Sequence, residues 1–137
     1  MRIDSIRNGI VIDHITAGKA MELYRMLRLE ELDCPVAVIK NAVSQKQGKK
    51  DIIKIDSSIE IDLDVIGYIS PNATVCIIRD GVVQEKRHLA LPKRLTGILH
   101  CKNPRCITTT EQGIKQVFVL SETDHASYRC LYCDARP

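Results

Sequence analysis

Apolar residues in the first ninety positions follow two patterns, and segments of the two kinds succeed one another along the chain. In the first pattern, short runs rich in β-branched residues are interrupted by polar residues, which is typical of strands. These runs are GIVIDHI (9–15), PVAVIKNAVS (35–44), DIIKIDS (51–57), ATVCIIR (73–79) and VVQEKR (82–87). Asp80 and Gly81 join the last two runs, and this dipeptide favours a two-residue hairpin turn.

The second pattern places apolar residues at helical spacing. Residues 17–32, AGKAMELYRMLRLEEL, have apolar residues three or four positions apart between Ala20 and Leu27 and predict an amphipathic helix. Residues 61–70, IDLDVIGYIS, predict a second, shorter helix. Its early carboxylates suit a helix N-terminus, and Pro71 ends it.

The predicted order is β-α-β-β-α-β, followed by one further hairpin strand, with a polar loop at residues 45–50 (QKQGKK). This order predicts an α+β fold of the ferredoxin-like type, with one antiparallel sheet and both helices on one face. The other face or an edge of the sheet is then free to meet a ligand or a second copy of the chain. Neither GxSxG nor GxxxxGK occurs, and no catalytic residue is predicted.

Four of the six cysteines form two close pairs, CKNPRC at residues 101–106 and CLYC at residues 130–133. A pair separated by two to four residues lets one tight turn offer two sulfurs to the same Zn²⁺ ion. The pattern therefore predicts one zinc ion with the ligands Cys101, Cys106, Cys130 and Cys133. Four thiolates leave no open coordination position, so this zinc is predicted to be structural. IKQVFVL (114–120), between the pairs, predicts a strand, and the whole segment predicts a small all-β zinc ribbon.

A pair of redox dithiols is the alternative for these cysteines. CxxxxC is a poor redox motif, and no βαβ pattern surrounds CLYC. His100 could replace a ligand, but with four cysteines present we expect it on the surface or around the ligands. Cys34 and Cys76 stand alone in apolar surroundings and are predicted to be small buried hydrophobes.

The composition is that of a globular protein, with 45% hydrophobic and 27% charged residues. No apolar run approaches the ~20 residues of a membrane helix, and the first nine residues lack the apolar stretch of a signal peptide. We therefore expect a cytoplasmic protein that does not enter a membrane. A reducing cytosol also favours metal binding over disulfides for closely spaced thiols.

The net charge of +3 lies entirely beyond the predicted domain boundary near LPKR (91–94). Residues 1–92 have thirteen basic and thirteen acidic residues, whereas residues 93–137 have seven and four. Four thiolates and one Zn²⁺ ion would reduce the charge of the second domain to about +1. Because this charge is weak and the chain has no Trp and one Phe, a nucleic-acid-binding zinc ribbon is only the second hypothesis for the function.

Two polar features in the predicted strands are open to two interpretations. Lys54 lies within the apolar run DIIKID and needs water or an anionic partner, since burying an unpaired charge is costly. It either binds an anionic ligand or projects from the solvent face of the sheet. Asp13 and His14 form either a capping pair at the end of a strand or part of a site. The residues alone thus give a folded domain, a zinc module and a hint of anion binding.

The motifs GIVIDHI, KKDIIKID, PNATVCII and the two cysteine pairs, in this order, resemble the regulatory chain of aspartate carbamoyltransferase over nearly the whole sequence. The resemblance implies a non-catalytic subunit with two domains. Residues 1–92 would bind nucleoside triphosphates and pair with another regulatory chain, and residues 93–137 would dock on the catalytic chain. In that family ATP activates and CTP inhibits, with UTP assisting, so that pyrimidine biosynthesis responds to nucleotide balance.

By position, the resemblance also implies a nucleotide site. Asp13 would accept a hydrogen bond from the ribose or base, Lys54 and Lys86 would contact ribose and phosphate oxygens, and Lys50 would assist. The pocket would be lined by Ile6, Val11, His14 and Ile52. The chain departs from better-known members at Cys76 (an asparagine there), Gly81 (a tyrosine there) and Arg105 (an asparagine there). The first two departures concern base selectivity, and the third concerns docking.

Overall fold

The computed structural model describes residues 1–121 and 127–137. Two compact units are present, Met1–Ala90 and Leu91–Pro137. No helix in these described residues is long and apolar enough to cross a lipid bilayer.

The first unit is an antiparallel five-stranded sheet with two short helices. Its elements are β1 (Gly9–Thr16), α1 (Ala20–Met26), a 3₁₀ turn (Leu29–Glu31), β2 (Val36–Ser44), β3 (Gly48–Ile55), α2 (Leu63–Ile69), β4 (Thr74–Arg79) and β5 (Val82–His88). The strand order is β2-β3-β1-β4-β5. This order is that of a ferredoxin-like sheet with one added edge strand, so the predicted α+β class is confirmed.

One face of the sheet forms the core because apolar residues alternate with exposed ones along its central strands. Ile12 of β1 pairs with Ile53 of β3 and with Val75 of β4, and all three side chains are buried. The helices add Leu23 and Ile66 to this core. Each fully buried aliphatic side chain of this kind contributes about 1.5–3 kcal/mol. The opposite face is only half-buried along β1 and β3.

Several element boundaries differ from the prediction, and two of the differences have a clear cause. The helix expected over residues 17–32 ends at Met26, because Arg28 adopts a left-handed backbone with φ of 55°. The 3₁₀ turn that follows still buries Leu29, which explains why the apolar spacing continued past the end of the helix. The loop expected over residues 45–50 is shorter, because β3 begins at Gly48 and pairs Lys50 with Ala42 of β2.

The predicted hairpin between β4 and β5 is confirmed. Asp80 and Gly81 have φ angles of 52° and 77°, the two positive values that a type I′ turn requires. Both backbone N–H groups are paired, since Asp80 donates to Asn8 Oδ1 at 3.1 Å and Gly81 donates to the carbonyl of Arg7 at 2.9 Å.

The second unit has a three-stranded antiparallel sheet in the order β6-β7-β8. Its elements are β6 (Arg94–Thr96), a one-turn helix α3 (Ile107–Thr110), β7 (Val117–Leu120) and β8 (Tyr128–Cys130). The small all-β zinc ribbon that was predicted is observed as a β-rich unit, in which α3 is the one helical element in the described part. Leu95 and Phe118 are fully buried, and the Tyr128 hydroxyl donates to the carbonyl of Pro92 at 2.6 Å.

The side chain of Asp51 on β3 ties three segments of the first unit together. Asp51 is fully buried, and its Oδ2 atom accepts hydrogen bonds from the backbone N–H groups of Gly18 (3.0 Å) and Ala20 (3.2 Å) at the start of α1. Its Oδ1 atom accepts from the N–H of Asn41 (2.9 Å), at an irregularity in β2 where φ is 61°. The side chain of Lys19, the N-cap residue of α1, makes no capping hydrogen bond. Asp51 on β3 instead accepts hydrogen bonds at that end of the helix.

We predict that Asp51→Ala lowers the free energy of unfolding of the first unit by about 3 kcal/mol, because three backbone N–H groups lose their acceptor. Asp33→Ala, at an exposed position, should change it by no more than about 0.5 kcal/mol. Urea denaturation of the zinc-loaded chain measures both values. Hydrogen exchange should accelerate at the amides of Gly18, Ala20 and Asn41. Equal stability of the two variants would contradict the role given to Asp51.

Candidate metal centre and ligand-binding face

The four cysteines predicted to bind zinc lie together in the second unit. The Sγ atoms of Cys101, Cys106, Cys130 and Cys133 are all within 4.8 Å of one another. Cys101 Sγ lies 3.5 Å from Cys133 Sγ, and Cys106 Sγ lies 3.8 Å from Cys130 Sγ. A tetrahedral ion with Zn–S bonds of about 2.3 Å places its sulfurs about 3.8 Å apart.

These distances fit one metal ion better than redox dithiols. A redox pair needs only two thiols, whereas here four Sγ atoms lie within 4.8 Å of one another and none is in a disulfide. The donor set is four soft sulfur atoms, three of them in buried residues, which is the donor set of structural zinc sites. The cluster is therefore consistent with one structural zinc ion, which would leave no position for a reactive water.

Asn103 shapes the first cysteine turn. Its carbonyl accepts a hydrogen bond from the Cys106 N–H at 3.1 Å and from the Thr109 hydroxyl at 2.6 Å. Its side-chain Oδ1 accepts from the Arg105 N–H at 3.1 Å, which is the self-bonding turn that asparagine favours. This turn brings the Cys101 and Cys106 thiols to the same side and starts α3 directly after Cys106.

The second cysteine turn closes through backbone hydrogen bonds. The Asp134 N–H donates to the carbonyl of Cys130 at 2.9 Å, and Asp134 has a left-handed φ of 64°. The Cys130 N–H donates to the carbonyl of Ala135 at 2.8 Å. The chain therefore turns sharply enough after β8 to return the Cys133 thiol towards Cys101.

The four thiols do not ionise equally. Burial raises the pKa of Cys101 to about 12 and also raises the pKa of Cys130. A hydrogen bond from the Asn103 side chain lowers the pKa of Cys133 to about 6, and hydrogen bonds from Thr108 lower the pKa of Cys106. Cys133 and Cys106 therefore ionise more readily than Cys101 and Cys130, and the charge of a bound cation would favour the thiolate form of all four.

The remaining predicted cysteine and histidine positions are only partly as expected. His100 is exposed and lies outside the four-cysteine cluster. Cys34 and Cys76 were predicted to be buried, but both are half-buried. Cys76 is more open because it lies on the half-buried face of the sheet, where it pairs with Val11 of β1 and with Lys86 of β5.

The half-buried face of the sheet brings the predicted nucleotide-binding residues together. Residues directly opposite in paired strands project to the same face. Lys54 is opposite Val11, Val11 is opposite Cys76, and Cys76 is opposite Lys86, so these four residues form one row across β3, β1, β4 and β5. Lys50 and Ile52 share the face with Lys54, because they alternate along β3 with the buried residues Asp51, Ile53 and Ile55.

Asp13 and His14 lie at a β-bulge next to this row. The pairing of β1 with β3 shifts between Ile12 and Ile15, and His14 has a left-handed φ of 57°. The His14 N–H donates to Asp13 Oδ1 at 2.6 Å, and the His14 Nδ1 atom lies 3.1 Å from the Thr74 hydroxyl. The bulge therefore directs the imidazole across the face towards β4.

Lys50 holds the carboxylate of Asp13. The Lys50 Nζ atom lies 3.0 Å from Asp13 Oδ1. Burial raises the pKa of Asp13, but the hydrogen bond and charge of Lys50, the His14 N–H and the His14 charge together outweigh it, and the pKa lies below its usual value. Asp13 is therefore ionised at neutral pH and can accept a further hydrogen bond.

Two clefts adjoin the half-buried face. The first has a volume of about 290 Å³ and includes Ile6 and Lys54 in its lining. The second has a volume of about 300 Å³ and is lined by His14, Lys46, Gln47, Asn72, Thr74, Lys86 and His88. A third cleft, of about 380 Å³, includes none of the predicted residues.

The predicted site residues are thus divided. Lys54 and Ile6 line the first cleft, His14 and Lys86 line the second, and Asp13, Lys50, Val11 and Ile52 line neither. Sequence reasoning did not identify Lys46, Asn72, Thr74 or His88. Strand register could have identified two of them, because Thr74 pairs with both Asp13 and His88.

Known proteins match this chain over both units. The family model "Aspartate carbamoyltransferase regulatory chain, allosteric domain" matches residues 1–90, and the model "Aspartate carbamoyltransferase regulatory chain, metal binding domain" matches residues 93–136. An aspartate carbamoyltransferase regulatory chain from Clostridium botulinum (strain Hall) is 49% identical over 134 residues, which cover 98% of this chain and 92% of the relative. Chains of the same name from Bifidobacterium longum and Clostridium tetani are 45% and 46% identical, and each match covers 98% of this chain and 96% or 94% of the relative.

We predict that Cys130→Ser abolishes stoichiometric zinc binding and unfolds the second unit, because metal binding supplies much of the folding free energy of so small a unit. Zinc analysis by mass spectrometry and amide NMR spectra of the full chain measure both effects. Amide resonances of the first unit should keep their dispersion. Cys76→Ser, outside the cluster, should retain one zinc ion per chain. A folded, zinc-loaded Cys130→Ser chain would disprove the assignment.

We also predict that Lys50→Met raises the pKa of Asp13, because it removes both a hydrogen bond and a positive charge. A folded-state pKa below the unfolded value stabilises the fold above about pH 4 and loses that contribution as the pH falls through the folded value. The variant should therefore lose less stability on acidification. Carboxyl ¹³C NMR titration reads the pKa directly, with Lys49→Met as the matched control, and an unchanged Asp13 titration would contradict the pairing.

Proposed function

The chain belongs to the aspartate carbamoyltransferase regulatory chain family, and on that premise we propose that residues 1–92 bind nucleoside triphosphates as effectors of a catalytic chain, on which residues 93–137 dock. Family membership makes the chain a non-catalytic, regulatory subunit. ATP, CTP and UTP are the proposed effectors, and the catalysed step of pyrimidine biosynthesis is the process that they modulate.

One observation supports nucleotide binding above the others, namely the set of basic side chains on the half-buried sheet face. Lys54 and Lys86 stand in the same row, although residues 1–92 have no net charge. A triphosphate is a polyanion, and lysine ammonium groups bind such groups as flexible point charges. These ammonium groups therefore stand on the face of the sheet that has no core to bury.

The same face offers contacts for the rest of a nucleotide. The ionised Asp13 can accept a hydrogen bond from a ribose hydroxyl or from an amino group of a base. Val11, Ile52 and Ile6 are half-buried and apolar, so they can contact the flat surface of a base. Cys76 lies between Val11 and Lys86, where a thiol makes weaker hydrogen bonds than an amide, and base selectivity is therefore expected to depend on this position.

Docking on the catalytic chain is proposed for the apolar residues that the cysteine turns present. Ile107, Leu131 and Tyr132 are 44%, 48% and 44% exposed, and each is adjacent to a cysteine of the cluster. A metal ion bound to the four sulfurs would fix the positions of these side chains. This role makes the zinc structural and leaves the chemistry to the catalytic chain.

Nucleic-acid binding is the competing function for the second unit. A zinc-bound unit with a charge of about +1 can neutralise few phosphates. The CLYC turn also exposes Leu131 and Tyr132, which are not basic side chains. Binding to DNA or RNA that weakens steeply with added salt would support that alternative instead.

We further propose that two regulatory chains pair through the β2 edge of the sheet. The two edge strands are β2 and β5. β5 is exposed and rich in charged residues, which protects an edge from pairing, whereas β2 is mostly apolar, and its Val43 is 89% exposed. We expect the zinc-loaded chain to sediment as a dimer and Val43→Asp to shift it towards monomer. Val82→Asp, on the β5 edge, is the matched control, and a shift in that variant alone would place the interface on β5.

We predict that Lys54→Ala and Lys86→Ala each weaken ATP and CTP binding by about tenfold, which corresponds to about 1.4 kcal/mol for one charge-assisted contact. Isothermal titration calorimetry on the full chain measures this loss. Lys102→Ala, in the other unit, should bind nucleotides as the unmodified chain does. Unchanged affinity in both Lys54→Ala and Lys86→Ala would show that the site lies elsewhere.

The regulatory claim is tested with the same variants in the assembled holoenzyme. Effectors change the aspartate saturation curve only if they bind two global states of the assembly with different affinity. ATP and CTP should shift the half-saturating aspartate concentration of the unmodified holoenzyme, and the shift should shrink in parallel with the loss of affinity in each variant. Nucleotide binding without any shift in the half-saturating aspartate concentration would contradict regulation by the effectors but not their binding.

A further inference from the structure

The third cleft lies on the core face of the sheet, away from the row of proposed nucleotide-binding residues. Its eight lining residues are Ile10, Ile59, Glu60, Ile61, Leu63, Val75, Ile77 and Arg87. We propose that this cleft and the chain segment beside it bind an extended segment of another polypeptide, in which basic and aliphatic residues alternate. The proposal goes beyond effector binding and docking on the catalytic chain, because it concerns residues that neither function uses.

Strand pairing fixes the floor of the third cleft. Ile10 of β1 is opposite Ile77 of β4, and Val75 of β4 is opposite Arg87 of β5. Cys76 lies between Val75 and Ile77 and therefore projects to the other face, where the nucleotide site is proposed. A polypeptide bound in the third cleft would thus not compete with a ligand on the half-buried face.

The segment before α2 forms one wall of the cleft. Residues 59–64, IEIDLD, alternate between half-buried aliphatic side chains and exposed acidic side chains. The aliphatic members, all of which line the cleft, are Ile59, Ile61 and Leu63. The acidic members, here called the acidic strip, are Glu60, Asp62 and Asp64. This alternation has the period of a β-strand, although the segment belongs to neither sheet.

The backbone of this segment has hydrogen-bond donors without partners. In the described part of the chain, the N–H groups of Glu60 and Ile61 meet no acceptor, whereas the N–H of Ile59 donates to the carbonyl of Ser57 at 3.2 Å. An extended segment with free N–H groups can pair with the carbonyls of an added strand. In this mode of recognition, main-chain hydrogen bonds supply affinity and pockets for alternate side chains supply specificity. The third cleft, with a volume of about 380 Å³, is such a pocket for aliphatic side chains.

The charges around the cleft favour a basic partner. Arg87 is the one cation among the eight lining residues, and its Nε atom donates to the Glu85 carboxylate on the same strand. Within residues 1–121 and 127–137, none of the three carboxylates of the acidic strip has an ion-pair partner. A polypeptide with lysine or arginine side chains would therefore be attracted, whereas a nucleic acid or an anionic membrane would be repelled.

The test uses a fluorescein-labelled peptide in which lysine and valine alternate (KVKVKVK), titrated with the zinc-loaded full chain. Amide NMR should show shifts and slower hydrogen exchange at Glu60 and Ile61, whose N–H groups gain acceptors. Fluorescence anisotropy should show binding about fivefold weaker in Glu60→Lys, through charge reversal, and about fivefold weaker in Ile61→Ser, through lost apolar contact. Glu30→Lys and Met21→Ser, at exposed positions of the same unit, are the matched controls and should bind within about twofold of the unmodified chain.

A second peptide, in which glutamate replaces every lysine (EVEVEVE), should not bind, and equal binding of both peptides would overturn the proposal. Amide shifts in β2 or in the second unit, in place of those at Glu60 and Ile61, would also overturn it. The same shifts on concentrating the chain without peptide would assign the cleft to a second copy of the chain and contradict a basic partner. If Ile61→Ser loses the dispersed amide spectrum of the folded chain, Glu60→Lys, at an exposed position, still decides the outcome.

Discussion

Four sulfur atoms provide the interaction on which the second unit depends. The unit has 47 residues, and the side chains that it buries in its described part are few: Leu95, Cys101, Cys106, Val117, Phe118, Tyr128 and Cys130. Three of these seven are thiols of the cluster, so the metal site forms a large part of the core of this unit. Without an ion, buried thiols offer little to offset the entropy of ordering the chain. The fold of this unit and the presentation of Ile107 and Leu131, and with them the proposed docking on a partner, therefore depend on one coordination shell.

The first unit has a different task, because one sheet forms the core with one face and offers the proposed nucleotide site on the other. Adjacent residues of β3 show how this is done. Asp51 points into the core and holds the start of α1 and the irregularity in β2, whereas Lys50 points to the other face and holds Asp13. Both strands that flank β3 have a register shift close to this pair. The half-buried face and the packing of the helix are therefore fixed by neighbouring positions of a single strand.

Features set by local sequence were predictable, and features set by distant contacts were not. The five strands of the first unit, the Asp80–Gly81 hairpin and the cysteine turns follow from alternation, turn chemistry and ligand spacing, which act over a few residues, whereas β6 and β8 are too short to show such a pattern. The prediction missed the end of the helix because Arg28 adopts a left-handed conformation without being a glycine. It missed the start of β3 because the lysines there resemble loop residues. The role of Asp51 and the closeness of His88 to His14 depend on strand pairing, so no local pattern indicates them. The positions of the predicted nucleotide ligands came from the family resemblance rather than from the residues alone.

The alternation of faces along β3 also restricts how this protein can change during evolution. Deleting one residue between Lys50 and Lys54 would exchange the two faces beyond that point, placing an ammonium group in the core and an isoleucine on the ligand side. Selection can therefore retune the affinity of this face only by replacing side chains one at a time. The Gln45–Gln47 turn has no such restriction, since loops tolerate insertions, and a change in its length would alter the margin of the second cleft without exchanging the faces of β3.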